Sequence, residues 1–347
     1  MRFFSQVAIT LFSVASAMPA YAQPHNLVQA IDALVQCKTP RTFNGNILIA
    51  RNGRVLYQKS YGYRNIPQKQ ALLANQQFIT GSLSKQVTAA LILQQVAAGT
   101  INRQAPVKRY LPQLQDAWAD SVTIHQLLCH TSGVVWEGQP LAFAPGSQFA
   151  YSNYGYLLLG DVLASVTGHT YNEMANALFR QSGMTQSVSY SPEETPIPAP
   201  LNLAIGYAEQ ADGTLRTDDS VLWHIAPPAG GIIATTPDLL KWNTALHGGK
   251  ILNDSCYRFM TTPSAVRTHR WGTLGYGYGV QVDSLDGIKE ISHNGYFNGY
   301  IATLLYYPAT RTTAVVLENV SPDASNMVRA FYFHDELRKL LRKQWMN

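Results

Sequence analysis

The sequence predicts an α+β fold, an α/β sandwich. An antiparallel sheet built from the N- and C-terminal segments is flanked by helices, and a mostly helical subdomain is inserted between those segments. A hairpin signal stands near the start, where Asn52-Gly53 separates two apolar-rich runs. The middle of the chain carries helical patterns with capping residues. From Gly275 onward the pattern changes to short runs rich in β-branched and aromatic residues, parted by Gly, Pro, Asp or Asn. Strands at both ends and helices between them are most simply joined as one sheet.

Taken in order, the chain opens with Arg2, an apolar run from Phe3 to about Val14, and Ala20-Tyr21-Ala22. This is the pattern of a secretory signal peptide over residues 1–22, with a mature chain from Gln23 in the periplasm or the medium. The run is too short and too interrupted by Ser5, Gln6, Thr10 and Ser13 to span a bilayer. Asn44 to Ala50 and Val55 to Tyr61 read as hairpin strands, since Asn-Gly supplies the positive φ angles of a type I′ turn. Helix is expected from Ser84 to Ala98, with Gly99 as its C-terminal cap. Shorter helices are expected over Thr123–Cys129, Tyr154–Val166 (stopped at Gly168) and Tyr171–Arg180. Ser191 to Pro200 reads as a surface loop. Pro237 to Leu246 reads as a helix with Thr236 as N-cap. Strands are expected over Tyr276–Val282, Lys289–His293, Tyr300–Tyr307 and Thr312–Glu318. An amphipathic helix over Ala324–Gln344 closes the chain, with Arg338, Lys339, Arg342 and Lys343 expected on its solvated face.

Composition narrows the function classes. The formal net charge is +5, and only 14% of residues are charged. Charge that sparse and mixed does not make a nucleic-acid surface. The three cysteines, Cys37, Cys129 and Cys256, show no C-x-x-C spacing. They predict no zinc site; an odd count leaves at least one thiol unpaired within the chain, and the spacing does not decide whether the other two pair. No metal and no cofactor is implied.

The residues that carry chemistry are Ser82 and Lys85, three apart at the start of an apolar-periodic run. On a helix that spacing puts hydroxyl and amine on one face, one turn apart. A serine hydroxyl becomes a nucleophile when a nearby base takes its proton, and a lysine held neutral can be that base. Ser84 cannot serve, because its immediate neighbour Lys85 points about 100° round the helix from it. Two further segments join them. Tyr151-Ser152-Asn153 lies just before an apolar helix; its Tyr can relay a proton, and its Asn can bond a substrate amide and the Lys85 amine. His293-Asn294-Gly295 ends a strand, where a glycine lets an extended substrate approach the strand edge. His130, in a His-Thr-Ser-Gly turn, reads as structural. Ser132 has no Gly-x-Ser-x-Gly elbow around it and is no rival nucleophile.

In this combination the chain resembles the penicillin-recognising serine hydrolases: class C β-lactamases, serine DD-peptidases and related esterases. The likeness rests on Ser82-x-x-Lys85, Tyr151-x-Asn153 and His293-x-Gly295, in that order. Leu127-Leu128-Cys129-His130-Thr131-Ser132-Gly133 and the segment from Ala229 to Leu239 resemble the family's framework. The resemblance implies a β-lactamase/transpeptidase-like fold and a single catalytic domain over residues 23–347. It implies Ser82 as the acylated nucleophile, Lys85 as its proton partner and Tyr151 as general base or relay. Asn153, His293, Gly295 and Tyr296 would bind substrate, with the backbone N–H groups of Ser82 and Tyr296 forming the oxyanion hole. The substrate would be a small molecule or peptide: a D-alanyl peptide, a β-lactam or an ester. One departure stands out. The typical class C β-lactamase has Lys-Thr-Gly as its third motif, and this chain has His-Asn-Gly. His at this place resembles some DD-peptidases and related hydrolases, so a DD-peptidase or D-amino-acid amidase/esterase is expected before a β-lactamase. The reading from another class is a silent cell-wall-peptide-binding protein, which would be expected to have lost Ser82, Lys85, Tyr151 or Asn153.

Overall fold

The computed structural model describes residues 24–191 and 201–346. The signal peptide expected over 1–22, and all but the first residue of the loop expected over Ser191–Pro200, lie outside them. The N-terminal hairpin, Gly45–Arg51 and Arg54–Tyr61, joins the C-terminal strands in one eight-stranded sheet. Across the sheet the order is Arg54–Tyr61, Gly45–Arg51, Thr312–Glu318, Tyr300–Tyr307, Glu290–Phe297, Gln281–Asp283, Gly272–Tyr276 and Ala265–His269. Every pairing within it is antiparallel. The junction of the chain's two ends is long, running from Gly45 opposite Glu318 to Arg51 opposite Thr312. Asn52 and Gly53 turn the hairpin with φ of 50° and 75°, as a type I′ turn requires.

Strand residues alternate between two cores, which is why these strands are apolar at nearly every position. Ile47, Ile49, Leu305, Tyr307 and Val316 pack with the helices Pro24–Gln36 and Tyr332–Met346. Leu48, Ala302, Leu304, Val315 and Leu317 face the other way, into the larger core shared with the inserted helices. The helices Ser84–Ala97, Asn153–Thr167, Tyr171–Gln181 and Thr236–His247 belong to that second face. The sandwich with its helical insertion is therefore the architecture the sequence predicts.

Several local expectations change. The strand expected over Tyr276–Val282 is two strands, ending at Tyr276 and restarting at Gln281. Between them Gly277 N–H donates to the Val280 carbonyl, and Gly279 has φ 67°. A Cβ on Gly279 would fall 2.5 Å from the Lys85 carbonyl, so the turn presses on the nucleophile helix and needs glycine there. The strand expected to end at His293 continues to Phe297. Thr235, not Thr236, caps the helix Thr236–His247, its hydroxyl accepting from Asp238 N–H. The closing helix is interrupted: a 3-10 turn Ala324–Asn326 and a short helix Met327–Ala330 precede Tyr332–Met346. Asn326 caps Arg329 N–H inside the span read as continuous. Arg338 and Arg342 are buried, paired with Asp283 and Glu290 from the sheet. Lys339, bound to Glu336, and Lys343 are exposed as expected. The helix sequence shows the basic spacing but not the strand carboxylates that draw two of its cations inward. The sequence reading also omitted the helices Pro24–Gln36 and Asp254–Thr261 and the edge strand Ala265–His269. All three cysteines are free thiols, Cys37 exposed and the other two buried.

Candidate active site

Ser82 sits in a 3-10 turn, Gly81–Leu83, that runs directly into the helix Ser84–Ala97. The turn is fastened to the segment after Ala229. Thr80 N–H donates to the Ile232 carbonyl, Ser84 Oγ donates to the Gly81 carbonyl, and Ile232 N–H donates to Ser84 Oγ. Ser84 is thus a strut of the turn, as its position beside Lys85 implies. Ser82 itself remains partly exposed.

Lys85 is fully buried one turn further on. Its Nζ lies 3.3 Å from Ser82 Oγ, 2.8 Å from Asn153 Oδ1 and 2.6 Å from the Ala229 carbonyl. No carboxylate pairs with it among the described residues. Burial therefore drives its pKa well below the ordinary lysine value. A neutral amine has two N–H donors and one lone pair. Asn153 and Ala229 accept the donors, which leaves the lone pair for the Ser82 hydroxyl.

Tyr151 precedes the N-cap of the helix Asn153–Thr167. Ser152 Oγ accepts from Gly155 N–H at 2.8 Å and fixes where that helix begins. The Tyr151 ring lies against His130, centroids 4.4 Å apart, and Lys85 Nζ stands 4.8 Å from its centroid. Burial pushes its phenol up to about 12, partly opposed by a hydrogen bond to Ser82 and by the charge of Arg267.

The third motif lies on the strand Glu290–Phe297. Its neighbour Gln281–Asp283 pairs with it only as far as Ser292, so the edge from His293 onward is left to the site. A Cβ on Gly295 would fall 2.0 Å from the Thr80 carbonyl and 3.2 Å from Ser82 N. A Cβ on Gly81, whose φ is 53°, would fall 2.9 Å from Tyr296 N. The two glycines let strand and nucleophile turn touch, and that contact brings the backbone amides of Ser82 and Tyr296 to one place. The glycine expected to admit substrate thus first admits the nucleophile turn. Tyr296 directs its hydroxyl away, to the Pro322 carbonyl.

His293 is buried, and both ring nitrogens are engaged. Ser152 N–H donates to His130 Nδ1 at 3.1 Å, so His130 Nε2 carries the proton and donates to Tyr276 Oη at 3.2 Å. Tyr276 then gives its own proton to His293 Nε2 at 2.9 Å, and His293 Nδ1–H donates to the Asn294 carbonyl at 2.7 Å. Burial, with Lys85 and Arg267 nearby, holds His293 down at about 3. His130 is held well below its ordinary value by burial first, with the charge of Arg267 acting in the same direction. Neither imidazole is a cation at neutral pH. His293, expected to bind substrate, has both ring nitrogens taken up by its neighbours, and the turn histidine read as structural is the other end of the same chain. Sequence reasoning also missed Arg267, whose guanidinium carbon lies 5.5 Å from the Tyr151 ring centroid and 5.6 Å from that of Phe149. A cavity of about 580 Å³ beside Tyr306, His247 and Arg311 contains none of these residues.

The family model described as Beta-lactamase matches residues 28–339. The chain belongs to that family. It is a β-lactamase-fold serine hydrolase. A penicillin-binding protein of Bacillus subtilis is 27% identical over 317 residues, which is 81% of this chain and 69% of that protein. A D-aminopeptidase of Cereibacter sphaeroides is 24% identical, covering 92% of this chain and 65% of the relative. The chain thus spans just under two thirds of that relative's length. Among solved structures, a penicillin-binding protein from Bacillus halodurans aligns with TM-score 0.75 and 26% identity, over 92% of this chain and 100% of that one. The D-amino acid amidase of Ochrobactrum anthropi, solved with D-phenylalanine, aligns with TM-score 0.76 over 92% of this chain and 99% of its own. At 20% identity that likeness concerns the fold alone. Among the described residues no helix is long and apolar enough to cross a membrane.

Proposed function

We propose that the protein is an exported hydrolase that forms an acyl-enzyme on Ser82 and acts on D-alanyl peptides or on D-amino-acid amides and esters. The observation that carries this reading is Lys85 Nζ at 3.3 Å from Ser82 Oγ, desolvated and with its donors already accepted. Lys85 takes the hydroxyl proton as Oγ attacks the substrate carbonyl carbon. The carbonyl oxygen, now negative, is held by the N–H groups of Ser82 and Tyr296. The Tyr151 phenol, protonated at neutral pH, passes its proton to the leaving amine or alkoxide as the C–N or C–O bond breaks, and Lys85 restores it. Water then attacks the ester carbon, giving a proton back along the same path, and the acid leaves with Ser82 regenerated. Asn153 holds Lys85 and offers its exposed amide to the substrate backbone.

Residues 23–347 would make up the catalytic domain after removal of 1–22, acting in the periplasm or the medium on a small molecule or peptide. The names of the similar penicillin-binding proteins and D-aminopeptidase support this substrate range. The missing third-motif cation places a β-lactamase second, because a β-lactam's carboxylate would find a neutral His293. The test is mass spectrometry of the intact protein with a fluorescent penicillin, a D-alanyl-D-alanine peptide and a p-nitrophenyl ester. A mass increment on Ser82 that disappears with time, and never forms in Ser82→Ala, is expected. Turnover in Ser82→Ala within tenfold of the parent would sink the proposal, and so would an absence of any increment.

A further inference from the structure

We infer that His334 is a positioning residue of this site: through Thr303 and Asn294 it braces the third-motif strand from behind and holds the Tyr296 amide in the oxyanion hole. This rests on the acyl-enzyme reading above and adds a structural requirement to it.

The strand Glu290–Phe297 needs a brace at this point. Its neighbour Gln281–Asp283 pairs with it no further than Ser292, so from His293 onward it is paired with Tyr300–Tyr307 alone among the described residues. At Gly295 its front meets the Thr80 carbonyl, where an added Cβ would fall at 2.0 Å. Successive strand side chains face opposite ways. His293 and Gly295 face the site, and Asn294 between them points back toward the helix Tyr332–Met346. A chain of hydrogen bonds starts there. Asn294 Nδ2 donates to Thr303 Oγ1 at 2.8 Å, directly across the strand pair. Thr303 Oγ1 lies 2.7 Å from His334 Nδ1, and His334 Nε2 lies 2.9 Å from Glu318 Oε1. Arg41 holds both oxygens of Glu318 and donates also to the carbonyls of Arg329 and Ala330. Arg41, Asn294, Thr303, Glu318 and His334 are all buried.

One set of proton positions satisfies this chain. Burial pushes the Glu318 carboxyl up, but the charge and hydrogen bonds of Arg41 and the bond from His334 outweigh it and hold it below its usual value. An ionised carboxylate takes a donor, so His334 Nε2 carries the proton. Burial lowers His334 and keeps it neutral. Its Nδ1 lone pair therefore accepts the Thr303 hydroxyl proton, and the Thr303 oxygen is left to accept from Asn294. Asn294 Oδ1 is buried without a partner, so the bond to Thr303 orients the amide. Burying Arg41, Glu318 and His334 gains little stability over well-packed apolar side chains. What a bonded polar chain adds is position, because its bonds have set lengths and directions while apolar packing tolerates sliding. The position fixed here is that of Asn294, adjacent to Gly295 and two residues before Tyr296. An oxyanion donor stabilises the transition state when it is held in place beforehand.

The experiment compares His334→Phe, Thr303→Val and Thr303→Ser with the parent, using p-nitrophenyl acetate and a D-alanyl-D-alanine peptide. Acylation and deacylation both pass through an oxyanion, so kcat should fall and KM should hold. The expected fall is about 10–100-fold in His334→Phe and Thr303→Val, less than for a donor lost outright, because the donor is displaced rather than removed. It should be the same for ester and peptide. Phenylboronic acid gives a second readout: Ser82 Oγ bonds to boron, the serine proton passes to Lys85, and a borate oxygen takes the oxyanion position. Its affinity should weaken by the same factor as kcat. Thr303→Ser keeps the hydroxyl and should recover most of both. If His334→Phe fails to fold, Thr303→Val carries the test, since it opens the same link and leaves Arg41, Glu318 and His334 together. Unchanged kcat and boronate affinity with a lowered urea midpoint would show that the chain only fastens helix to sheet, and would overturn the inference while the hydrolase reading stands. Equal losses in Thr303→Ser and Thr303→Val would overturn it too, by tracing the effect to the methyl group. If no ester, penicillin or peptide acylates Ser82 in the parent, both fall.

Discussion

Tyr276 Oη lies 2.9 Å from His293 Nε2, and this contact leaves the third motif without a free donor on its imidazole. The phenol has one proton. Because His130 already donates to it, that proton goes to His293. Both imidazoles are thereby fixed as neutral tautomers, and the strand His293–Gly295 is tied to the loop that carries Tyr151.

Removing the shared hydroxyl should expose this dependence. Tyr276→Phe leaves His130 Nε2–H and His293 Nε2 buried and unpaired, at a cost of about 1–3 kcal/mol for each such group. Urea denaturation should show the midpoint falling with an unchanged slope. A loss below about 0.5 kcal/mol, the level of an ordinary surface substitution, would mean that the chain of hydrogen bonds is not formed.

Lys85→Ala and Tyr151→Phe should each slow acylation, by about 10²–10⁴-fold, the usual contribution of a general acid or base. Their signatures differ. Lysine removal withdraws the base from Ser82 and should slow amide and activated-ester substrates alike. Tyrosine removal withdraws the acid from the leaving group, so p-nitrophenyl esters, whose leaving group needs no proton, should be spared relative to amides. Pre-steady-state labelling rates decide this. Equal losses on both substrate types in Tyr151→Phe would remove the phenol from the leaving-group step.

What was legible in the sequence is what short-range spacing encodes. Ser82 and Lys85 are one helical turn apart in the chain and in the structure, and the Asn52-Gly53 turn stands where its dipeptide puts it. The helix Pro24–Gln36 could also have been found, since Leu27, Ile31 and Val35 recur every fourth residue and are all buried. The partners of His293 were not legible, because Tyr276 and His130 come from a different strand and a distant turn. The same holds for Arg267, whose strand lies at the sheet edge among the described residues, paired with Gly272–Tyr276, and carries no apolar alternation strong enough to announce itself. Arg338 and Arg342 show the converse: a charge pattern that looks solvated along a helix is buried because two strands present acids to it.

Gly295→Ala tests the contact between strand and nucleophile turn. The added methyl would meet the Thr80 carbonyl at 2.0 Å, a backbone atom held in place by the segment around Ile232. The strand or the turn must move, and either shift separates the amides of Ser82 and Tyr296. Loss of an oxyanion donor costs about 10²–10³-fold in kcat. The expected result is that kcat falls by that order while Ser82, with Lys85 as its base, is still slowly acylated by an activated ester. Wild-type kcat in this variant would show that the two amides do not act together.

The neutral histidines also predict how the fold responds to acid. His293 titrates at about 3 in the folded protein, and His130 is held well below its ordinary value. Both return to about 6.5 in the unfolded chain. Between the folded and unfolded values the unfolded chain binds more protons, so stability falls as pH falls. The loss begins near pH 6.5 and continues towards about 3 for His293. His293 contributes on the order of 1.4 kcal/mol per pH unit within that window, and His130 acts in the same direction. Lys85, neutral by burial, acts in the same direction above it, so the slope does not vanish at neutral pH. The lowered Asp32 carboxyl, at about 2, loses its contribution only below the ordinary carboxylate range and leaves the upper part of the window to the histidines. Urea denaturation should therefore give a stability lower at pH 5.5 than at pH 7.5 by at least about 1.4 kcal/mol, the share of His293 alone, with the lowered His130, His125, His247, His269 and His334 adding in the same direction. A flat profile across those two conditions would mean that His130 and His293 carry protons in the folded state, and the tautomer chain through Tyr276 would have to be abandoned.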